Sequence, residues 1–203
     1  PSAFAALKVD GSLVTWGNAL YGANSSSTDL SSGVVDVAAA KLAFAVLKSD
    51  GSVVAWGESS SGGSTDGFAL GVPTRRSVKR IESAQQAFAG LKSDGSVVTW
   101  GDSGNGGNSS GVSDALSSGV RRVDNTNMAF AATKTDGSVV TWGQGDAGSP
   151  SGMSTFLSSG VTDISGGDYA FAALKGDGSV VTWGIGSWGG DSSSVETELS
   201  EGV

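Results

Sequence analysis

Apolar and polar positions along this chain fall into short blocks, not into one long amphipathic run. One block reads Val78-Lys79-Arg80-Ile81, then Ala87-Phe88-Ala89-Gly90-Leu91-Lys92, then Ser96-Val97-Val98-Thr99-Trp100. Each stretch is short, and the third is rich in β-branched and aromatic residues, so the block predicts three β-strands. Asp94-Gly95 reads as a two-residue hairpin turn with positive φ, which makes the second and third strands an antiparallel pair. Both strands carry apolar or small residues on both faces. A strand apolar on both sides is covered on both sides. A three-strand sheet does not cover itself, so its neighbours must sandwich it.

The block recurs. Trp-Gly stands at Trp16, Trp56, Trp100, Trp142 and Trp183, with spacings of 40, 44, 42 and 41. Asp-Gly-Ser precedes each, at Asp10, Asp50, Asp94, Asp136 and Asp177. Lys8, Lys48, Lys92, Lys134 and Lys175 keep the same phase, as do Phe4, Phe44, Phe88, Phe130 and Phe171. A period of this length signals a stacked or radial repeat fold. Each step from Val34, Val78, Val120 or Val161 to the next Trp covers 22 residues, while the connection after each Trp varies in length. Rigid blocks are paired strands, and adjustable connections are surface loops. In the connections, Asn24, Asn108 and Asp191 stand where a helix cap belongs, followed by Leu30, Leu116 and Leu199 (with Leu157 in the fourth copy). One or two helical turns with these leucines pointing inward are expected there.

The predicted architecture is all-β and β-propeller-like, with five blades of about 41 residues. The chain forms one repeat array over 1–203, with approximate repeats 1–33, 34–77, 78–119, 120–160 and 161–203. It begins at a second strand and stops at Val203, where a further first strand would begin. The expectation is a slice of a longer array, part of a larger chain or assembly, in preference to a ring closed one strand short.

Composition then narrows the chemistry. The chain has 33 Gly, and Gly and Ser together make up roughly a third of it, a content that without a period would indicate a linker. There is no Cys and no His, which removes thiolate nucleophiles, zinc–thiolate sites and the commonest general base. A net charge of −8 argues against a nucleic-acid partner. No apolar run reaches the length of a membrane span. There is no Gly-x-Ser-x-Gly elbow and no phosphate loop between strand and helix. The expectation is no enzyme, no cofactor and no metal. The Cys-free, Ser/Gly-rich composition gives a slight preference for an exported or extracellular setting.

The pattern Ala-Phe-Ala-x-Leu-Lys-x-Asp-Gly-Ser-Val-Val-Thr-Trp-Gly, followed by Gly-Gly-Asp-Ser-Ser, resembles the regulator of chromosome condensation repeat. It is most similar to the short, Ser/Gly-rich version found in arrays within large bacterial and protist proteins. The resemblance covers the whole chain in five in-phase copies, and it implies a β-propeller. Family propellers typically have more and longer blades. Founding nuclear members bind chromatin through basic extensions, absent here, and catalyse nucleotide exchange on a small GTPase. The resemblance therefore implies the fold more firmly than the exchange activity.

Residues that keep the phase are read as structural. Phe4, Trp16, Phe44, Trp56, Phe88, Trp100, Phe130, Trp142, Phe171 and Trp183 are the expected repeat core. The Asp residues are turn formers, since one carboxylate per turn does not make a calcium loop. Residues that break the phase are the candidate sites. Arg75, Arg76, Lys79 and Arg80 cluster around the longest connection, and Arg121 and Arg122 repeat the Lys79-Arg80 positions one block later. Adjacent blades would join them into a basic patch, opposed by acidic Asp191, Glu196, Glu198 and Glu201. Tyr21 and Trp188 share a loop position five residues after the core Trp, occupied by Ser61, Asn105 and Ala147 elsewhere. The function expected is a non-catalytic interaction or structural scaffold that binds a protein partner through these variable loops. The alternatives are a glycan-binding or adhesive module of a large extracellular protein, and a small-GTPase regulator.

Overall fold

The computed structural model of the chain describes residues 2–65 and 77–203. Its first sheet pairs β1 (Ala3–Leu7) with β2 (Leu13–Gly17). The second contains β3 (Val34–Ala39), β4 (Ala43–Lys48) and β5 (Val53–Gly57). The third contains β6 (Val78–Ser83), β7 (Ala87–Lys92) and β8 (Val97–Gly101). The fourth contains β9 (Val120–Asn125), β10 (Ala129–Lys134) and β11 (Val139–Gly143). The fifth contains β12 (Val161–Gly166), β13 (Ala170–Lys175) and β14 (Val180–Gly184). Strands are antiparallel and neighbours in sequence are neighbours in space. Consecutive sheets meet along their first strands, β3 with β6, β6 with β9 and β9 with β12. The third strands diverge from one another, so the sheets fan out as propeller blades.

The hairpin between second and third strands is one residue longer than its Asp-Gly suggests. Lys8 N–H bonds Ser12 C=O, and Gly11 N–H bonds Lys8 C=O. Gly11 takes φ 77°, while no described residue other than glycine has positive φ. This is a three-residue loop with glycine in the left-handed position, and the Asp keeps ordinary backbone angles. The Asp instead accepts from the next Ser, at 2.9 Å from Ser12 N–H and 2.6 Å from Ser12 Oγ. The same bonds hold Asp10, Asp50, Asp136 and Asp177 below the ordinary carboxylate range, Asp10 at about 2. The lysines are structural as well: Lys48, Lys134 and Lys175 donate to the carbonyls of Ser32, Ala115 and Phe156 in the connections.

Each sheet has a large face and a small face, and they mate. Ala43, Ala45 and Leu47 of the second blade pack with Ile81, Phe88 and Trp100 of the third. Ala87, Ala89 and Leu91 of the third pack with Val123, Phe130 and Trp142 of the fourth. Ala129 and Ala131 pack with Ile164, Phe171 and Trp183. Within a blade, Phe and Trp are cross-strand partners and stack, as in Phe88–Trp100 at 5.3 Å. Phe44, Phe88, Phe130, Phe171 and their tryptophan partners are buried. Phe4 and Trp16 depart from the expected core: they are 54% and 52% exposed. They keep the stack at 5.5 Å, but they lie on the large face of the first sheet, and a large face is covered only by the blade before it.

The connections contain single helical turns: 3-10 turns such as Ser110–Val112 and Ser193–Val195, and the one-turn α-helix Gly145–Gly148. Asn24, Asn108 and Asp191 each accept the backbone N–H two residues on, a local turn just before the cap position, and the caps of the 3-10 turns are Ser109 and Ser192. Leu30, Leu116 and Leu157 are buried, and Leu199 is half-buried. The carbonyls of all four bond the first amide of the third strand, at Leu13, Val97, Val139 and Val180.

A buried Trp thus carries far more stability than an exposed one. Trp100→Ala should lower the free energy of unfolding by about 3–5 kcal/mol, and Trp16→Ala by less than half as much. Urea denaturation of the two variants measures both.

Candidate functional site

The first strand of each three-stranded blade carries a one-residue irregularity in its pairing. In β6 the register passes from Val78–Lys92 to Arg80–Leu91, which leaves Lys79 as the extra residue. In β9 it passes from Val120–Lys134 to Arg122–Thr133, which leaves Arg121. A regular strand would send neighbouring side chains to opposite faces; a bulge re-aims them. Lys79, Arg80, Arg121 and Arg122 accordingly line one open groove of about 360 Å³, together with Leu91, Thr162 and Asp163. Arg75 and Arg76 lie outside the described residues.

The groove is less purely basic than the sequence suggests. Arg80 pairs with Glu82, and Arg122 bridges Asp124 and Asp163. Arg121 donates to the carbonyl of Thr162 on the next blade at 2.7 Å. Sequence reasoning picked out the cations and passed over these acids. The signal was present, because Glu82 and Asp124 stand two residues after Arg80 and Arg122 in equivalent strands.

Asp124 is the buried member of the set. Its side chain is only 10% exposed, against 40% for Arg122. Loss of solvent raises its pKa to about 6, although the Arg122 charge and hydrogen bond pull the other way. Its Oδ2 and the Arg122 Nε are both buried without a hydrogen-bond partner. Behind the groove wall, Arg122 therefore contacts a carboxyl held above the ordinary carboxylate range, and its own hydrogen-bonding capacity is incompletely used.

A second candidate region lies on the loops after Trp-Gly. Trp188 ends the 3-10 turn Gly186–Trp188 and is 56% exposed, with its ring edge-on to Tyr169 at 5.1 Å. Tyr21 ends the turn Ala19–Tyr21 and is half-buried. The two aromatics sit on the first and fifth blades. Ala147 does not take the position of Trp188. The connection of its blade is one residue short, so Ala147 replaces Gly106 of the preceding blade, and its carbonyl accepts from Trp183 Nε1 as that of Gly106 does from Trp142 Nε1. Asp191, Glu196, Glu198 and Glu201 are exposed on the last connection.

No protein-family model and no curated protein sequence matches the chain. Solved structures do match its fold. Human WBSCR16 superimposes with a TM-score of 0.62 at 20% identity, covering 90% of this chain and 59% of its own. Yeast RCC1 (Prp20) superimposes with a TM-score of 0.60 at 17% identity, covering 90% and 54%. The CRINKLY ectodomain of the Arabidopsis thaliana receptor kinase ACR4 follows at 0.52 and 19%, covering 88% and 58%. The chain thus spans between half and three-fifths of the length of these proteins. At such identities the likeness is one of fold: the repeat that resembles the regulator of chromosome condensation pattern folds into the same kind of blade.

Proposed function

We propose that this chain is a non-catalytic protein-interaction module whose docking surface is the groove on β6, β9 and β12. One observation carries the reading. The bulges turn Lys79, Arg80, Arg121 and Arg122 into a single groove on a protein whose net charge is −8. Nothing in the packing of a blade calls for these cations, since the second blade carries Val35 and Asp36 at the same positions. A local basic surface on an acidic protein steers an acidic partner to one place and repels it elsewhere. The matched propellers supply support by analogy of fold. Yeast RCC1 (Prp20) was solved bound to Kap60, and Prp20p has been described for its binding to Gsp1p and histones. The partner proposed here is a protein segment rich in Asp or Glu.

Arg80→Ser with Arg121→Ser should weaken binding of an acidic partner isolated with the wild-type chain by at least tenfold, in a pull-down followed by calorimetry. Replacing Lys41 and Lys175, which lie outside the groove, should leave affinity unchanged. An equal loss from both pairs would refute the groove.

The groove should also respond to pH. Asp124, which pairs with the groove residue Arg122, is protonated below about 6, and Arg122 then has one negative charge fewer beside it. A partner carboxylate raises that pKa further, so binding takes up a proton and tightens as pH falls from 7.5 to 5.5. Asp124→Asn should hold affinity near the low-pH value throughout, as measured by titration calorimetry in buffers of different ionisation enthalpy.

A further inference from the structure

The fourth blade differs from its siblings by one missing residue. After Trp56, Trp100 and Trp183, the glycine that packs against the Trp-Gly backbone comes seven residues on, at Gly63, Gly107 and Gly190. After Trp142 it comes six residues on, at Gly148. The third blade shows what the extra residue does. There the Asn105 Nδ2 donates to Asp102 at 2.6 Å and to Gln86 at 3.3 Å. The side chain plugs the space between the loop and the turn that joins the first two strands. In the second blade Ser61 holds that place and is fully buried. In the fourth blade the residues that match Gln86 and Asp102 are Met128 and Gln144, and both line a cavity of about 280 Å³.

That cavity has a definite chemistry. Met128, Ala147, Ile185 and the Tyr169 ring supply apolar and aromatic walls. Asp146, exposed at the mouth, is the charged residue among those lining it. Asp168 precedes Tyr169 and is also exposed, and Trp188 packs its ring edge-on to Tyr169. The polar interior group, the Thr126 hydroxyl, is already engaged with the backbone of Met128 and Ala129. An aliphatic stem fits the walls, and a cation fits the carboxylate and the aromatic face.

We propose that this cavity binds the side chain of a lysine or arginine presented by a partner polypeptide. The stem lies on Met128 and Ile185, and the cationic head faces Asp146 and the Tyr169 ring. The site stands on different blade elements from the basic groove and does not rest on it. A partner with separated acidic and basic segments would engage both.

The test is an NMR titration of the whole chain with Nα-acetyl-lysine methylamide. The neutral isostere Nα-acetyl-norleucine methylamide and methyl glucoside serve as comparisons. Saturable shifts are expected at the amides of Gly145, Ala147 and Ile185, with at least tenfold weaker binding of norleucine. Asp146→Asn should weaken the lysine amide about tenfold. Replacing the loop 144–148 by the sequence of 102–107 restores the missing residue in a form this fold already accommodates. The graft should abolish the shifts while leaving the spectrum of the other blades intact. Absence of saturable shifts, equal binding of norleucine or of methyl glucoside, or lysine binding that survives the graft would each overturn the proposal.

Discussion

One contact recurs at each described blade boundary and the rest of the structure hangs on it. The tryptophan of a blade lays its indole against the preceding blade and donates its N–H to a loop carbonyl there. Trp56 donates to Gly22, Trp100 to Gly62, Trp142 to Gly106 and Trp183 to Ala147, at 2.8–3.2 Å. A buried indole N–H without an acceptor costs more than the bond itself yields, so this geometry selects one arrangement of neighbouring blades. It also explains the glycine at the accepting position in the first three loops, a place that Ala147 takes in the shortened fourth loop. A Cβ on Gly62 would come within 2.7 Å of the Phe88 ring, and one on Gly106 within 2.7 Å of the Phe130 ring. Both glycines hold positive φ as well, so shape and backbone place the same demand.

The asymmetry of that contact gives the array a direction. Each blade offers small residues to its successor and large ones to its predecessor. Interior blades therefore bury their aromatic pair, and the first blade shows its pair to solvent. A second set of boundary contacts runs along the turns between first and second strands: Lys41 N–H bonds Gln85 C=O, Gln85 N–H bonds Asn127 C=O, and Asn127 N–H bonds Asp168 C=O. Backbone bonds of this kind hold spacing without constraining side chains. The same turns can therefore carry Gln86 in one blade and Met128 or Tyr169 in another. Variation that would disrupt a core is free to build a site there.

The two candidate sites arise in the same way, as local departures from a repeat whose frame is already fixed. At the basic groove the departure is chemical: cations occupy bulge positions that hold Val35 and Asp36 in the second blade. At the cavity the departure is steric: a loop one residue short leaves its plug out. Both departures leave the Phe–Trp stacks in place, with Ala147 still accepting the indole N–H of Trp183, so neither is in conflict with folding.

The sequence by itself determined the repeat, its phase, the strand pairing and the identity of most core residues, because these depend on local periodicity that five copies reinforce. It showed Lys79, Arg80, Arg121 and Arg122 as breaks in the pattern, and placed them on adjacent strands. The tertiary structure decided what these residues meet. Glu82 and Asp124 meet the arginines two residues before them in the same strand, and Asp163 meets Arg122 only across a blade boundary. Ala147 looked equivalent to Trp188 by count from the tryptophan, whereas packing against Trp183 assigns it to the glycine position. Phe4 and Trp16 match their siblings in every local respect, and their exposure follows from which face a neighbour covers. Local pairing is written in residues a few positions apart, and burial, charge neutralisation and cavity shape are settled by residues about forty positions away.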